Sequence, residues 1–184
     1  SGRMYEVELK VRADHEAVRE RLADTDAALL GAVEQADVYY DAPNRNFAET
    51  DEALRVRTER SDDGTETRLT YKGPLVEQES KTREEAKTVV ADPDALGNIL
   101  AGLGYHPAAE VSKDRTRYRL DGYTITLDTV DGLREFVEVE QEVKADIDSA
   151  REGAAAIMER LGLEPNEQIR TSYLGLLLDA DASG

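Results

Sequence analysis

The sequence contains no cysteine, which excludes disulfide staples and thiolate zinc sites. Histidine is almost as scarce. Only His15 and His106 occur, in a helix start and a turn-like stretch, so neither a histidine metal site nor a histidine general base is expected. No apolar run approaches the roughly 18 residues of a membrane span, and no signal-peptide pattern is present. The chain therefore reads as cytoplasmic, with no membrane partner. Glycine-rich phosphate loops are missing too. Positive charge is in deficit: 23 Lys and Arg stand against 40 Asp and Glu, a net charge of −17. That balance excludes a nucleic-acid binder working through a basic face. There is no linker, repeat or low-complexity segment to support a second domain. At 184 residues a single domain with a proper core is expected, over 4–179. Residues 1–3 read as a cloning remnant and 180–184 as a tail.

Acidic residues crowd the expected helices and turns, as on the surface of a salt-adapted, halophilic protein. The expected outcome is an unfolding midpoint that rises with KCl. Full stability without salt would count against the idea.

What the chain does have is alternation. In Tyr5-Glu6-Val7-Glu8-Leu9-Lys10-Val11 the apolar residues share one face of a strand, and Glu6, Glu8 and Lys10 the other. Asp14 caps a helix expected over 14–30 through Val18, Leu22, Leu29 and Leu30. Further strands are expected at 33–41, 53–58, 67–72, 82–91, 109–118, 123–128 and 134–140. Ala42-Pro43-Asn44-Arg45-Asn46, Ser61-Asp62-Asp63-Gly64, Gly73-Pro74 and Asp121-Gly122 supply turn chemistry between them. Helices are expected at 93–103, 148–161 and 168–179. The run 77–85 reads as mobile, or as a rim that orders over a ligand. Tyr39 and Tyr40 fall on opposite faces, so one belongs to the core. The stripes Leu161, Leu163 and Leu174, Leu176, Leu177 read as core or as a homodimer contact. About eight strands with short connections make an antiparallel α+β sheet.

The helices can cover only the apolar faces. The charged faces must meet either bulk water or the inside of a closed barrel, and an eight-stranded barrel has room for one small ligand. Signs are sorted by strand. Glu6, Glu8, Asp128, Glu138 and Glu140 are acidic; Arg55, Arg57, Arg68, Lys72, Arg83, Lys113, Arg115 and Arg117 are cationic. Such a lumen suits a highly charged oxyanion, with Arg forks and Lys point charges on its oxygens. The acids suit a hard, oxygen-liganded ion, Mg²⁺ or Mn²⁺. The competing possibility is a set of cross-strand ion pairs among the same side chains, which an empty tunnel would form in any case.

Glu6-x-Glu8-x-Lys10, Asp37-Val-Tyr39-Tyr40, Ala53-Leu54-Arg55-x-Arg57, Leu69-Thr-Tyr-Lys72-Gly, Arg83-x-Glu85, Lys113-x-Arg115 and Phe136-x-Glu138-x-Glu140 occur in the order seen in the CYTH superfamily. These are the triphosphate tunnel metalloenzymes: class IV adenylyl cyclases, thiamine triphosphatases and inorganic triphosphatases. The resemblance spans residue 5 to about 175, and the spacing most resembles the class IV cyclase (CyaB-like) branch. It implies an α+β fold, an eight-stranded antiparallel β-barrel tunnel with helices packed outside, and a triphosphate substrate such as ATP, thiamine triphosphate or inorganic triphosphate. By motif, Glu6, Glu8, Asp128, Glu138 and Glu140 resemble the metal group. Lys10, Arg55, Arg57, Lys72, Arg83, Lys113, Arg115 and Arg117 resemble the triphosphate group. Glu138, Glu140, Lys113 and Arg115 are the implied catalytic residues. Two positions depart from the family pattern: Arg134 stands where Leu-Gly precedes the last strand's aromatic, and Lys87 stands where Arg-x-Glu-x-Glu has its final acid. The first is expected to alter the tunnel mouth, and the second to add a cation.

Overall fold

The computed structural model describes residues 2–76 and 79–183. Eight antiparallel strands close into a barrel: β1 (Met4–Arg12), β2 (Ala28–Asp41), β3 (Ala53–Ser61), β4 (Gly64–Leu75), β5 (Lys81–Val90), β6 (His106–Leu120), β7 (Tyr123–Val130) and β8 (Glu135–Val143). Their order around the wall is β1-β5-β4-β3-β2-β6-β7-β8. Pairing of β8 with β1, Glu8 opposite Glu140 and Lys10 opposite Glu138, completes the ring.

Outside lie α1 (His15–Ala23), α2 (Phe47–Thr50), α3 (Pro93–Gly102), α4 (Ile147–Arg160) and α5 (Tyr173–Ser183). The outward residues Leu9, Val11, Ile125, Leu127, Val137 and Val139 meet Val18 and Leu22 of α1 and Ala154, Ile157 and Met158 of α4 in the larger core cluster. Packing is tight there: a Cβ on Gly153 would sit 2.0 Å from the Tyr123 hydroxyl, which donates to Ala150 O. A second cluster joins Val111, Val130 and Phe136 to Tyr173, with Tyr39, Leu174, Leu176 and Leu177 against it. Phe136 shares a strand face with Glu138 and Glu140, so this cluster fills one end of the barrel interior. Tyr39 is thus the core member of the tyrosine pair. Leu161 belongs to the larger core, with Leu163 packed against it. No helix among the described residues is long and apolar enough to cross a membrane.

The differences from the expected elements have local causes. Helix α1 ends at Ala23 rather than near 30, because the Thr25 hydroxyl donates to Leu22 O and accepts from Ala27 N–H. Side-chain bonds of this kind compete with helix continuation. Leu29 and Leu30 then fall in β2 and stand exposed, Leu29 at 64%. Asn46 caps the short α2 by accepting from Ala48 and Glu49 N–H, an element that follows the expected turn and was not expected itself. β4 runs through Gly73-Pro74 to Leu75 by a register shift, which absorbs the missing proline donor. The last helix starts at Tyr173, not 168. Of the run 77–85, Glu77 and Gln78 lie outside the described residues. Lys81–Glu85 belong to β5, and the carbonyls of Glu79 and Ser80 accept from Gln168 and Arg170.

Candidate active site in the barrel lumen

The lumen holds a cavity of about 850 Å³, and the strand period sends every second side chain into it. Glu6, Glu8 and Glu140 each offer a carboxylate oxygen within 4.8 Å of the others. Lys72 is 2.8 Å from Glu6 and 3.6 Å from Glu85. Lys81 is 3.3 Å from Glu8, but without hydrogen-bond geometry, so Glu8 Oε2 has no hydrogen-bond partner. These acids do not share one protonation state. Burial, then the Glu138 charge, pushes Glu8 well above the usual carboxylate range. Burial with Glu6 and Glu138 nearby pushes Glu140 up to about 7. Burial and the bond to Glu6 push Glu85 up to about 8. Burial also opposes ionisation of Glu6, but Lys72 and Glu85 together hold it low.

The cations are anchored by acids of their own. Asp37, 1% exposed, accepts from Arg57 Nε and Nη2 at 2.7 and 2.8 Å and from Lys113 Nζ at 2.9 Å. Arg115 forks onto Asp128 at 2.6 and 2.7 Å and also reaches Glu138 at 2.6 Å. The Tyr173 hydroxyl gives Asp128 a further bond at 2.7 Å. Burial, with Arg57 and Arg115 beside it, pulls Lys113 down to about 7 even with Asp37 in contact. Lys10 is likewise pulled to about 7, by burial and by Lys81.

The structure thus gathers Glu6, Glu8 and Glu140, sets Glu138 between Glu8 and Arg115, and spends Asp128 on Arg115 and Tyr173. Arg55, Arg57, Lys72, Lys113, Arg115 and Arg117 line the cavity. Arg55 Nε has no hydrogen-bond partner. Lys10 is turned toward the C-terminal segment, donating to Thr171 O at 2.5 Å with its ammonium 4.3 Å from the Tyr173 ring centre. Arg83 reaches the cavity wall but donates to Asp51 O, Asp51 Oδ1 and Gly73 O, which staples the rim. Arg117 pairs with Glu59. Lys87 pairs with Glu142 and lies 3.5 Å from Glu85, beyond the last β1–β5 pair, Met4 with Glu85. The cation therefore bridges β5 and β8 where β1 has run out. Arg134 is exposed and is not among the cavity-lining residues.

Sequence reasoning gave no site role to Asp37 and Glu85, which stand in its motifs, and did not single out Gln35, Glu59 or Lys81. Parity was the available signal. Asp37 and Tyr39 share a face, Glu59 is in phase with Arg57, and Lys81 and Glu85 are in phase with Arg83.

A family model described as the CYTH domain matches residues 4–173. A Methanocaldococcus jannaschii protein provisionally named an adenylate cyclase is 36% identical over 94% of this chain and 98% of its own length. The Aeromonas hydrophila adenylate cyclase CyaB is 28% identical, over 92% of this chain and 86% of its own. The solved structure of a Pyrococcus horikoshii protein superposes with a TM-score of 0.88 at 40% identity, covering 95% of this chain and 99% of that one. With its closed eight-stranded tunnel and charge-sorted lumen, the chain belongs to the CYTH domain family.

Proposed function

We propose that this protein is a metal-dependent enzyme acting on a triphosphate in its tunnel, converting ATP to cyclic AMP and pyrophosphate. The observation that carries the reading is the group of three carboxylates, Glu6, Glu8 and Glu140, each with an oxygen within 4.8 Å of the others. Burial and the crowding of like charges raise Glu8 and Glu140, and a divalent cation would offset that repulsion. The relatives' names favour the cyclase over other triphosphate chemistry.

Glu6, Glu8 and Glu140 would hold Mg²⁺ or Mn²⁺, with Glu138 adjoining. Asp128 serves this site through Arg115. A bound ion supplies Lewis-acid polarisation of a phosphoryl oxygen and of the attacking hydroxyl. Arg55, Arg57, Lys72 and Lys113 hold the triphosphate oxygens, and Asp37 keeps Arg57 and Lys113 aimed at them. The ribose 3′-hydroxyl attacks the α-phosphorus; its O–P bond forms as the bond to the α–β bridging oxygen breaks. Glu140, ionised at the site, would accept the hydroxyl proton on an oxygen not given to the ion. Lys113 and Arg115 balance the charge gathering on the departing pyrophosphate.

The test is incubation with Mg²⁺ or Mn²⁺ and, separately, ATP, thiamine triphosphate and inorganic triphosphate. Cyclic AMP plus pyrophosphate is the expected product. Orthophosphate without cyclic AMP would make the protein a triphosphatase, and no product would make it a binding module.

Metal affinity should also depend on pH. Glu8 and Glu140 bind a cation only after losing protons. Mn²⁺ affinity therefore rises about tenfold per pH unit for the Glu140 proton up to about pH 7, and displacement of the Glu8 proton steepens the rise. Calorimetry across that range checks it; a flat profile would remove the raised carboxylates from the metal group.

A further inference from the structure

We propose that Gln35 is a specificity-determining residue that accepts a hydrogen bond from the organic part of a triphosphate substrate, separating nucleotides from inorganic triphosphate. This rests on the triphosphate reading above and names the substrate class within it.

Gln35 lines the cavity and is 3% exposed. It sits in register with Glu59 on β3 and Lys113 on β6. Its Nε2 donates to Glu59 Oε2 at 3.3 Å. Although burial opposes it, Arg117 and the Gln35 bond hold Glu59 below the usual carboxylate range, so its carboxylate is an acceptor only. The amide nitrogen must face Glu59, and that sets the carbonyl end. Gln35 Oε1 is left with no partner.

Neither charged neighbour donates to it: the Lys113 ammonium bonds to Asp37 and Arg117 to Glu59, and no bond reaches Gln35 Oε1. An unpaired buried acceptor costs about 1–3 kcal/mol, and a ligand that brings a donor recovers it. A phosphate oxygen near neutral pH is itself an acceptor and would set lone pair against lone pair. A sugar hydroxyl or a base amino group donates.

A second orphan has the opposite polarity. Arg55 Nε is a buried donor without an acceptor, and it shares the lumenal face of β3 with Arg57 and Glu59. Along that one strand, the lumen asks for a phosphate oxygen at Arg55 and for an O–H or N–H donor beside Glu59. Inorganic triphosphate meets the first demand and not the second.

The experiment measures dissociation constants, with Mg²⁺ present, for a non-cleavable ATP analogue and for inorganic triphosphate. Gln35→Leu keeps the side chain's bulk and removes the acceptor. The expected result is about tenfold weaker binding of the ATP analogue, with inorganic triphosphate within about twofold of the unmodified protein. Equal weakening of both, or of neither, would overturn the proposal. A second measurement needs no variant, and decides the matter if Gln35→Leu fails to fold. At least one of 2′-deoxy-ATP, 3′-deoxy-ATP and inosine triphosphate should bind the unmodified protein about tenfold more weakly than ATP. Equal affinity for all four would overturn the assignment. Tight binding of inorganic triphosphate without ATP would sink Gln35 and ATP as the substrate while leaving the triphosphate tunnel, whereas binding of neither would sink the triphosphate reading as well.

Discussion

Replacing Glu8 by glutamine lowers turnover about 1,000-fold, the equivalent of about 4 kcal/mol of transition-state stabilisation, while the protein stays folded. Glu8 belongs to the group whose carboxylate oxygens lie within 4.8 Å of one another, so the change removes a charged ligand from the proposed cation site. The same change should not weaken the fold. Burial pushes the Glu8 carboxyl well above its ordinary range. Such a raised group contributes stability below its unfolded value, and loses it as pH rises toward the folded one. At pH 8, where the unfolded side chain is ionised, the buried carboxyl carries a cost that glutamine lacks, whether it holds its proton or loses it. The variant should therefore melt at or above the parent's temperature at pH 8, with less advantage at pH 5. Measured turnover beside thermal melts at the two values decides the matter. Undiminished turnover would remove Glu8 from the site, and a collapsed melt would make its role structural.

Arg115→Leu should behave in the opposite way, losing fold and activity together. Arg115 makes two bonds to Asp128 and one to Glu138, all in the barrel interior. Its removal leaves the fully buried Asp128 with the Tyr173 hydroxyl as its remaining bond. Removing one partner of a buried ion pair costs about 3–5 kcal/mol, which in a domain of this size lowers the melting temperature by about 10 °C. Burial already pushes Asp128 upward with Arg115 beside it. Protonation then relieves the orphaned carboxyl, and the deficit at pH 5 should be smaller than at pH 8. Pairing Arg115→Leu with Asp128→Leu removes both charges and should recover part of the loss. Urea unfolding of the single and double variants measures this; strictly additive losses would mean that the two side chains are not coupled.

Much of this architecture was legible from alternation. Glu6-x-Glu8-x-Lys10 on one side and Val7, Leu9 and Val11 on the other must separate, because a strand has only two faces. With helices available for the apolar side, the charged side had to face water or a lumen. The error at 14–30 was also local: Leu29 and Leu30 continue a helical pattern, but the side-chain bonds of Thr25 end the helix first. Glu77 and Gln78, outside the described residues, leave that part of the expected rim without a structural account.

Within the site, residue type and phase pointed to which side chains enter the barrel, but not to which partner each one takes. Arg55 and Arg57 are in phase on one strand, yet Arg57 is locked by Asp37 while Arg55 keeps an unpaired nitrogen. Asp128 and Glu140 were grouped as acids; the first is consumed by Arg115 and Tyr173, and the second sits with Glu6 and Glu8. Lys10 and Arg83 were grouped with the phosphate cations, but they bond to Thr171 and to the Asp51–Gly73 rim. By itself the sequence determined the period of each strand, the sorting of charge by face and the family. Only the closed tertiary structure decided the pairings, because strand order, register and burial bring β2 beside β6 and β8 beside β1 from distant parts of the chain, and the energy of a buried charge depends on its nearest neighbours in space.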